Sequence, residues 1–206
     1  MERRTRGGWS RGGLLCALCC VMALTLFRPA SEARGQGGGL AGRTVTGTVY
    51  FVGGRRAGQS QAFTLNINRL SSPEDVQRLQ AALQSGGQDE LLRTLSRMEA
   101  GRIRLGTGVG VVANAIISVP QDGGSKLVVL YERDLHISEL RYGTRSQDYR
   151  FGYAELYLRR GGNEGMLIPA AKVRLRDGNT WEVEDFGAFP ARLIGLQVRG
   201  GSRPVR

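Results

Sequence analysis

Alternation of apolar and polar residues dominates the chain from Thr44 onward. Thr44 to Val52 is rich in threonine, valine and aromatic residues, and Gly53, Gly54 and Gly58 then supply a turn. Gln61 to Arg69 resumes the alternation, with Phe63, Leu65 and Ile67 on one face and Thr64, Asn66 and Asn68 on the other. The two segments predict a β-hairpin.

The period then changes. Ser72-Pro73-Glu74-Asp75 offers an N-cap, a proline at the first helical position and two acids beside the positive end of the helix dipole. Val76, Leu79 and Leu83 fall on one stripe of that helix. Gly86-Gly87 should end it, and Asp89 to Met98 predicts a second helix with Leu91, Leu92, Leu95 and Met98 facing inward.

After Gly101 strand signals return at short, regular spacing: Arg102 to Leu105, Val111 to Val119, Lys126 to Glu132, Leu135 to Arg141, Asp148 to Arg159, Met166 to Arg174, Thr180 to Phe186 and Arg192 to Val198. The breaks at 120–124, 161–163 and 177–179 carry turn residues. The expected fold class is α+β, mainly antiparallel β. About ten strands suggest a barrel or sandwich, with two short helices inserted after the first hairpin.

The first 33 residues follow a different pattern. Arg3, Arg4, Arg6 and Arg11 precede the uncharged run Leu14 to Phe27, and Ser31 and Ala33 fit the small-residue positions of a signal peptidase site. Residues 1–33 are therefore expected to be a secretory signal peptide, and the protein to be exported to the periplasm or beyond. Retention as a membrane anchor is the rival reading, but the run falls short of the roughly 20 apolar residues of a spanning helix. Residues 34–42 are expected to be a flexible glycine-rich leader, 43–199 a single domain and 200–206 a disordered tail.

Cleavage after Ala33 would remove all three cysteines, which excludes disulfides and thiolate ligands from the mature chain. It would also remove five arginines and two glutamates. The 29 basic and 18 acidic residues then become 24 and 16, and the net charge falls from +11 to +8. Only Lys126 and Lys172 of the cationic residues are lysines. Such an arginine excess is the mark either of a GC-rich genome or of long-range, salt-sensitive attraction to anionic envelope polymers, lipid headgroups or acidic exopolysaccharide. No recognition motif for nucleic acid accompanies it.

Strand Asp148 to Arg159 is the most informative for chemistry. Tyr149, Phe151, Tyr153, Glu155 and Tyr157 alternate with Ala154, Leu156 and Leu158, so both faces have reason to be buried. If the aromatic face lines a cavity, the tyrosines would hold a ligand and Glu155 would orient it. In the plainer reading Glu155 pairs with an arginine across the sheet. His136, the only histidine, lies between Leu135 and Ile137 on the side opposite to them, which suits a solvent-facing strand position better than a general base. Without cysteines a zinc site would need carboxylates for its remaining ligands, and no metal or other cofactor is implied. Two carboxylate groups, Glu132 with Asp134 and Glu139, and Glu182 with Glu184 and Asp185, leave a glycosidase-type reaction open but weakly marked. Gly106 to Gly110 matches a phosphate loop in composition alone, because a strand follows it, and it reads as a turn.

The segments AFTLNINRLSSPEDVQRLQAALQSGGQDELLRTL, YERDLHISEL, DYRFGYAELYL and WEVEDFGAFPARLIGLQ together resemble a group of exported bacterial proteins of unknown function. The resemblance implies a secreted, cysteine-free α+β domain and supplies no active residues. The leading expectation is a non-enzymatic binding protein for an apolar or amphipathic, lipid-like ligand. A structural or adhesive protein on anionic envelope polymers is the second, and a carboxylate-based hydrolase the third.

Overall fold

The computed structural model describes residues 39–53, 56–133, 148–176, 180–185 and 190–200. The signal segment, most of the leader, the strand expected at Leu135 to Arg141 with His136, the carboxylates Asp134 and Glu139, the turn at 177–179 and the tail beyond 200 lie outside them.

Ten strands form one antiparallel sheet: β1 (Thr44–Tyr50), β2 (Ser60–Ile67), β3 (Gly101–Leu105), β4 (Val111–Ala113), β5 (Ala115–Gln121), β6 (Gly124–Glu132), β7 (Phe151–Arg159), β8 (Glu164–Arg176), β9 (Thr180–Asp185) and β10 (Ala191–Arg199). The strand order is β4-β3-β2-β1-β10-β8-β7-β6-β5, with β9 paired to the far half of β8. The order explains the hairpin expectation and exceeds it. β1 pairs β2 in register, Val45 opposite Leu65, but its other edge is taken by β10, the last strand of the fold.

The expected strand Val111 to Val119 is two strands. Asn114 interrupts it, so that β4 pairs back onto β3 while β5 pairs onto β6. β4 and β5 are the two ends of the strand path, and one residue of chain separates them. The path is not closed by hydrogen bonds, but it is strongly curled: Ile103 of β3 and Tyr131 of β6, six steps apart in the order, line the same pocket.

The inner face of the curl is filled. Phe63, Leu65, Ile67, Leu127, Leu156 and Leu167 have essentially no exposed surface and belong to one core cluster to which most strands contribute. Burying each such side chain stabilises the fold by about 1.5–3 kcal/mol. The period of two then sends the alternate residues of β6, β7 and β8 to the outer face, where a helix covers them.

That helix, α1, runs from Pro73 to Leu95. Its start follows the sequence: Ser72 accepts a hydrogen bond from the Asp75 amide, and the Asp75 carboxylate accepts one from the Ser72 amide in return, a capping box. Two helices were expected where the structure has one helical element. Gly86 and Gly87 leave helical geometry, Gly87 with φ +61°, but no loop follows them and the helix resumes at once. Leu79, Leu83, Leu91 and Leu95 pack from both sides of this break on Phe151, Tyr153, Ile168 and Val173. Val76, expected in the buried stripe, is only half-buried, and the carboxylate Asp75 takes a buried place instead. The reason is Arg69, whose guanidinium reaches Asp75 at 2.8 Å. Among the described residues no helix is long and apolar enough to cross a membrane.

Candidate functional site

The strand singled out by sequence is β7, and both of its faces are buried from Phe151 to Leu156. Ala154, Leu156 and Leu158 belong to the inner core, whereas Phe151 and Tyr153 belong to the outer cluster beneath α1. The aromatic face therefore meets the helix layer and not the interior of the curl.

Glu155 is the centre of that face. Tyr153 and Tyr157, two residues to either side and so on the same face, donate their hydroxyls to Oε1 and Oε2, each at 2.5 Å. Lys126 of β6 donates to Oε1 at 3.1 Å. The cross-strand partner is thus a lysine, placed diagonally, because Lys126 stands opposite Tyr157 in the ladder. Burial pushes the Glu155 carboxyl upward, but the three donors outweigh it and hold the group below its ordinary value. A carboxylate so stabilised is a poor proton acceptor near neutral pH. The same bonds raise the phenols: Tyr157 is pushed up to about 12, chiefly by its hydrogen bond to Glu155, and Tyr153 is raised further, chiefly by burial.

Tyr149 precedes the strand and donates to Glu184 of β9 at 2.6 Å, and Arg174 meets the other oxygen of Glu184 at 2.6 Å. Among the described residues no group of three His, Cys, Asp or Glu side chains gathers where a metal could sit. The five residues Tyr149, Phe151, Tyr153, Glu155 and Tyr157 thus lie in one layer, engaged with one another, with α1 and with β9.

A recess lies instead at the end of the curl where β3, β4, β6 and β8 converge. It measures about 280 Å³ and is walled by Ile103, Leu105, Val111, Tyr131, Arg133 and Pro169. Tyr131 is the notable wall. It is 7% exposed, yet its hydroxyl makes no hydrogen bond among the described residues. Burial raises its phenol far above the ordinary range, against the opposing charge of Arg133. Arg133 is fixed in place, with Nε donating to the Tyr149 carbonyl at 2.9 Å and its amide bonded to the Arg150 carbonyl.

β7 supports this recess through its backbone. Gly152 stands opposite Tyr131 in the ladder, and a Cβ there would lie 1.9 Å from Tyr131 Cζ, so the ring occupies the space that a side chain would need. A more polar groove of about 490 Å³ adjoins the recess, sharing Gly110 and Val111 with it and extending past Arg97, Arg102, Asn114 and Glu132. Gly106 to Gly110 is the turn between β3 and β4 and borders both.

Sequence reasoning pointed to the aromatic side chains of β7 and passed over Tyr131. The available signal was Tyr131-Glu132-Arg133 at the end of an apolar strand, but only pairing across the sheet shows that a glycine faces the ring. No protein-family model, no curated protein and no solved structure matches the chain.

Proposed function

We propose that the chain is an exported, non-enzymatic binding protein that seats a small amphipathic ligand in the recess beside Tyr131. The observation that carries this reading is Tyr131, a wall of the recess whose hydroxyl makes no hydrogen bond among the described residues, set among apolar side chains with the guanidinium of Arg133 beside it. A ligand with an apolar body and an anionic head would bury the first against Ile103, Leu105 and Val111 and present the second to Arg133, while Tyr131 fixes its orientation. On this reading the curled sheet acts as an incomplete barrel whose filled interior leaves only its end for a guest. Export rests on the basic residues and apolar run of the first 33 positions.

Titration with anilinonaphthalene sulfonate, an apolar ring system bearing one anion, tests the reading. Saturable fluorescence enhancement at one probe per chain, displaced by decanoate, is expected. Val111→Trp should abolish it by filling the recess, and Tyr131→Phe should weaken it several-fold while the thermal midpoint is retained. Undiminished binding by the Val111→Trp protein would overturn the proposal.

A further inference from the structure

Independently of the recess, we infer that the outer face of β3, β2, β1 and β10 is a docking surface for a linear acidic polysaccharide. These four strands contain not one Asp or Glu, while every carboxylate of the described strands lies on β6, β7, β8 and β9. The period of two puts Val45, Val49, Phe63, Leu65, Ile103 and Leu193 inside, so the alternate positions face outward and form rows across the sheet, polar in all but the row of Ala62, Thr48 and Ile194. One row reads Arg102, Asn66, Thr44, Arg199 and the next Arg104, Thr64, Thr46, Gln197. A third pairs Ser60 and Tyr50 with Arg192.

Arg102, Arg104, Arg192 and Arg199 are all exposed, and none of them meets a carboxylate among the described residues. Arg102 and Arg199 make only long bonds to the Gly110 carbonyl and the Gln197 amide oxygen, at 3.4 and 3.5 Å. Helix α1 packs on the β6 to β8 side and leaves this face uncovered.

The chemistry selects the partner. Four strands at about 4.8 Å spacing set Arg102 and Arg199, the two ends of the first row, roughly 14 Å apart, with an amide and a hydroxyl between them. Guanidinium groups match carboxylates as bidentate donors, and the threonines and asparagine between them match sugar hydroxyls. A bilayer would call for a broad apolar anchor, and Tyr50 and Ile194, 40% and 49% exposed, stand at one end only. Single-stranded nucleic acid would call for several stacking rings, and Tyr50 is the sole aromatic on the face.

Retention of the protein on immobilised polygalacturonate tests the inference. Binding is expected at low ionic strength and should weaken as salt is raised. The triple variant Arg104→Gln, Arg192→Gln, Arg199→Gln should bind about tenfold or more weakly. A variant of equal net charge, Arg78→Gln, Arg93→Gln, Arg160→Gln, with two of its positions on α1, should change little. Equal loss in both variants would reduce the effect to net charge and overturn the inference. So would equal retention on neutral dextran, tighter binding to phosphatidylglycerol vesicles or to single-stranded DNA, or no retention on polygalacturonate at low salt. Because the recess is untouched in both variants, probe binding there should persist in each.

Discussion

The ring of Tyr131 lies over the backbone of Gly152, its ladder partner on β7, at a separation that no side chain at position 152 could share. An aromatic ring that covers a cross-strand glycine both fills the gap in the sheet and fixes its own rotamer. Here it also sets the position of the phenol in the recess.

Gly152→Ala should therefore displace the ring. Overpacking of this kind costs about 1–3 kcal/mol, and the thermal midpoint of a domain this size should fall by roughly 2–4 °C for each of them. In a Tyr131→Ala background the same change should cost much less. A double-mutant cycle by thermal or urea unfolding measures the difference, and additive effects would show that the two residues do not share the space.

Asn114 turns the chain between β4 and β5 and is buried there, its Nδ2 donating to the Met98 carbonyl at 3.0 Å and its Oδ1 accepting from the Glu132 amide at 2.9 Å. Asn114→Leu leaves both backbone groups without partners, at about 1–3 kcal/mol each. Urea unfolding should register this loss, and hydrogen exchange at the Glu132 amide should accelerate.

Asp75 joins the cap of α1 to the strand side of the fold through Arg69. The hydrogen bond from Arg69 holds its carboxyl below the ordinary value, with burial opposing and the Ser72 amide assisting. Its stabilisation is therefore present above the unfolded pKa of about 4 and is lost as pH falls through the lower folded value. Asp75→Asn should lower stability at neutral pH by about 1–2 kcal/mol and flatten the acid limb of the stability profile.

Tyr157 supplies a limb of opposite sense. Its phenol is raised from near 10 to about 12 by the bond to Glu155. A folded pKa above the unfolded one means that stability is intact below about pH 10 and declines as pH rises toward 12. Glu155→Gln should return the Tyr157 phenol toward its ordinary value, seen as earlier tyrosinate absorbance in the folded protein. An unmoved titration would separate Tyr157 from the carboxylate.

Much of the fold was legible because its signals are local. The alternation of Phe63, Leu65 and Ile67 needs only the pleat of a strand, and Ser72, Pro73 and Asp75 start a helix through bonds that span three residues. Both buried faces of β7 could be read from its own composition. The Gly86-Gly87 break was also legible, but whether it made a loop or a kink depended on the two halves packing on the same sheet surface.

What tertiary structure alone decided were relations between residues far apart in the chain. Alternation assigns Phe151, Tyr153, Glu155 and Tyr157 to one face without saying what that face meets, and tertiary packing set α1 against Phe151 and Tyr153. Strand pairing likewise brought Lys126 rather than an arginine to Glu155 and placed Gly152 under Tyr131. The division of Val111 to Val119 at Asn114 came from two strands, β3 and β6, competing for one segment. The four carboxylate-free strands come from positions 44–67, 101–105 and 191–199, and only their hydrogen-bonded order makes them a single surface. Strand order is set by the burial of all the side chains together, so no window of sequence contains it.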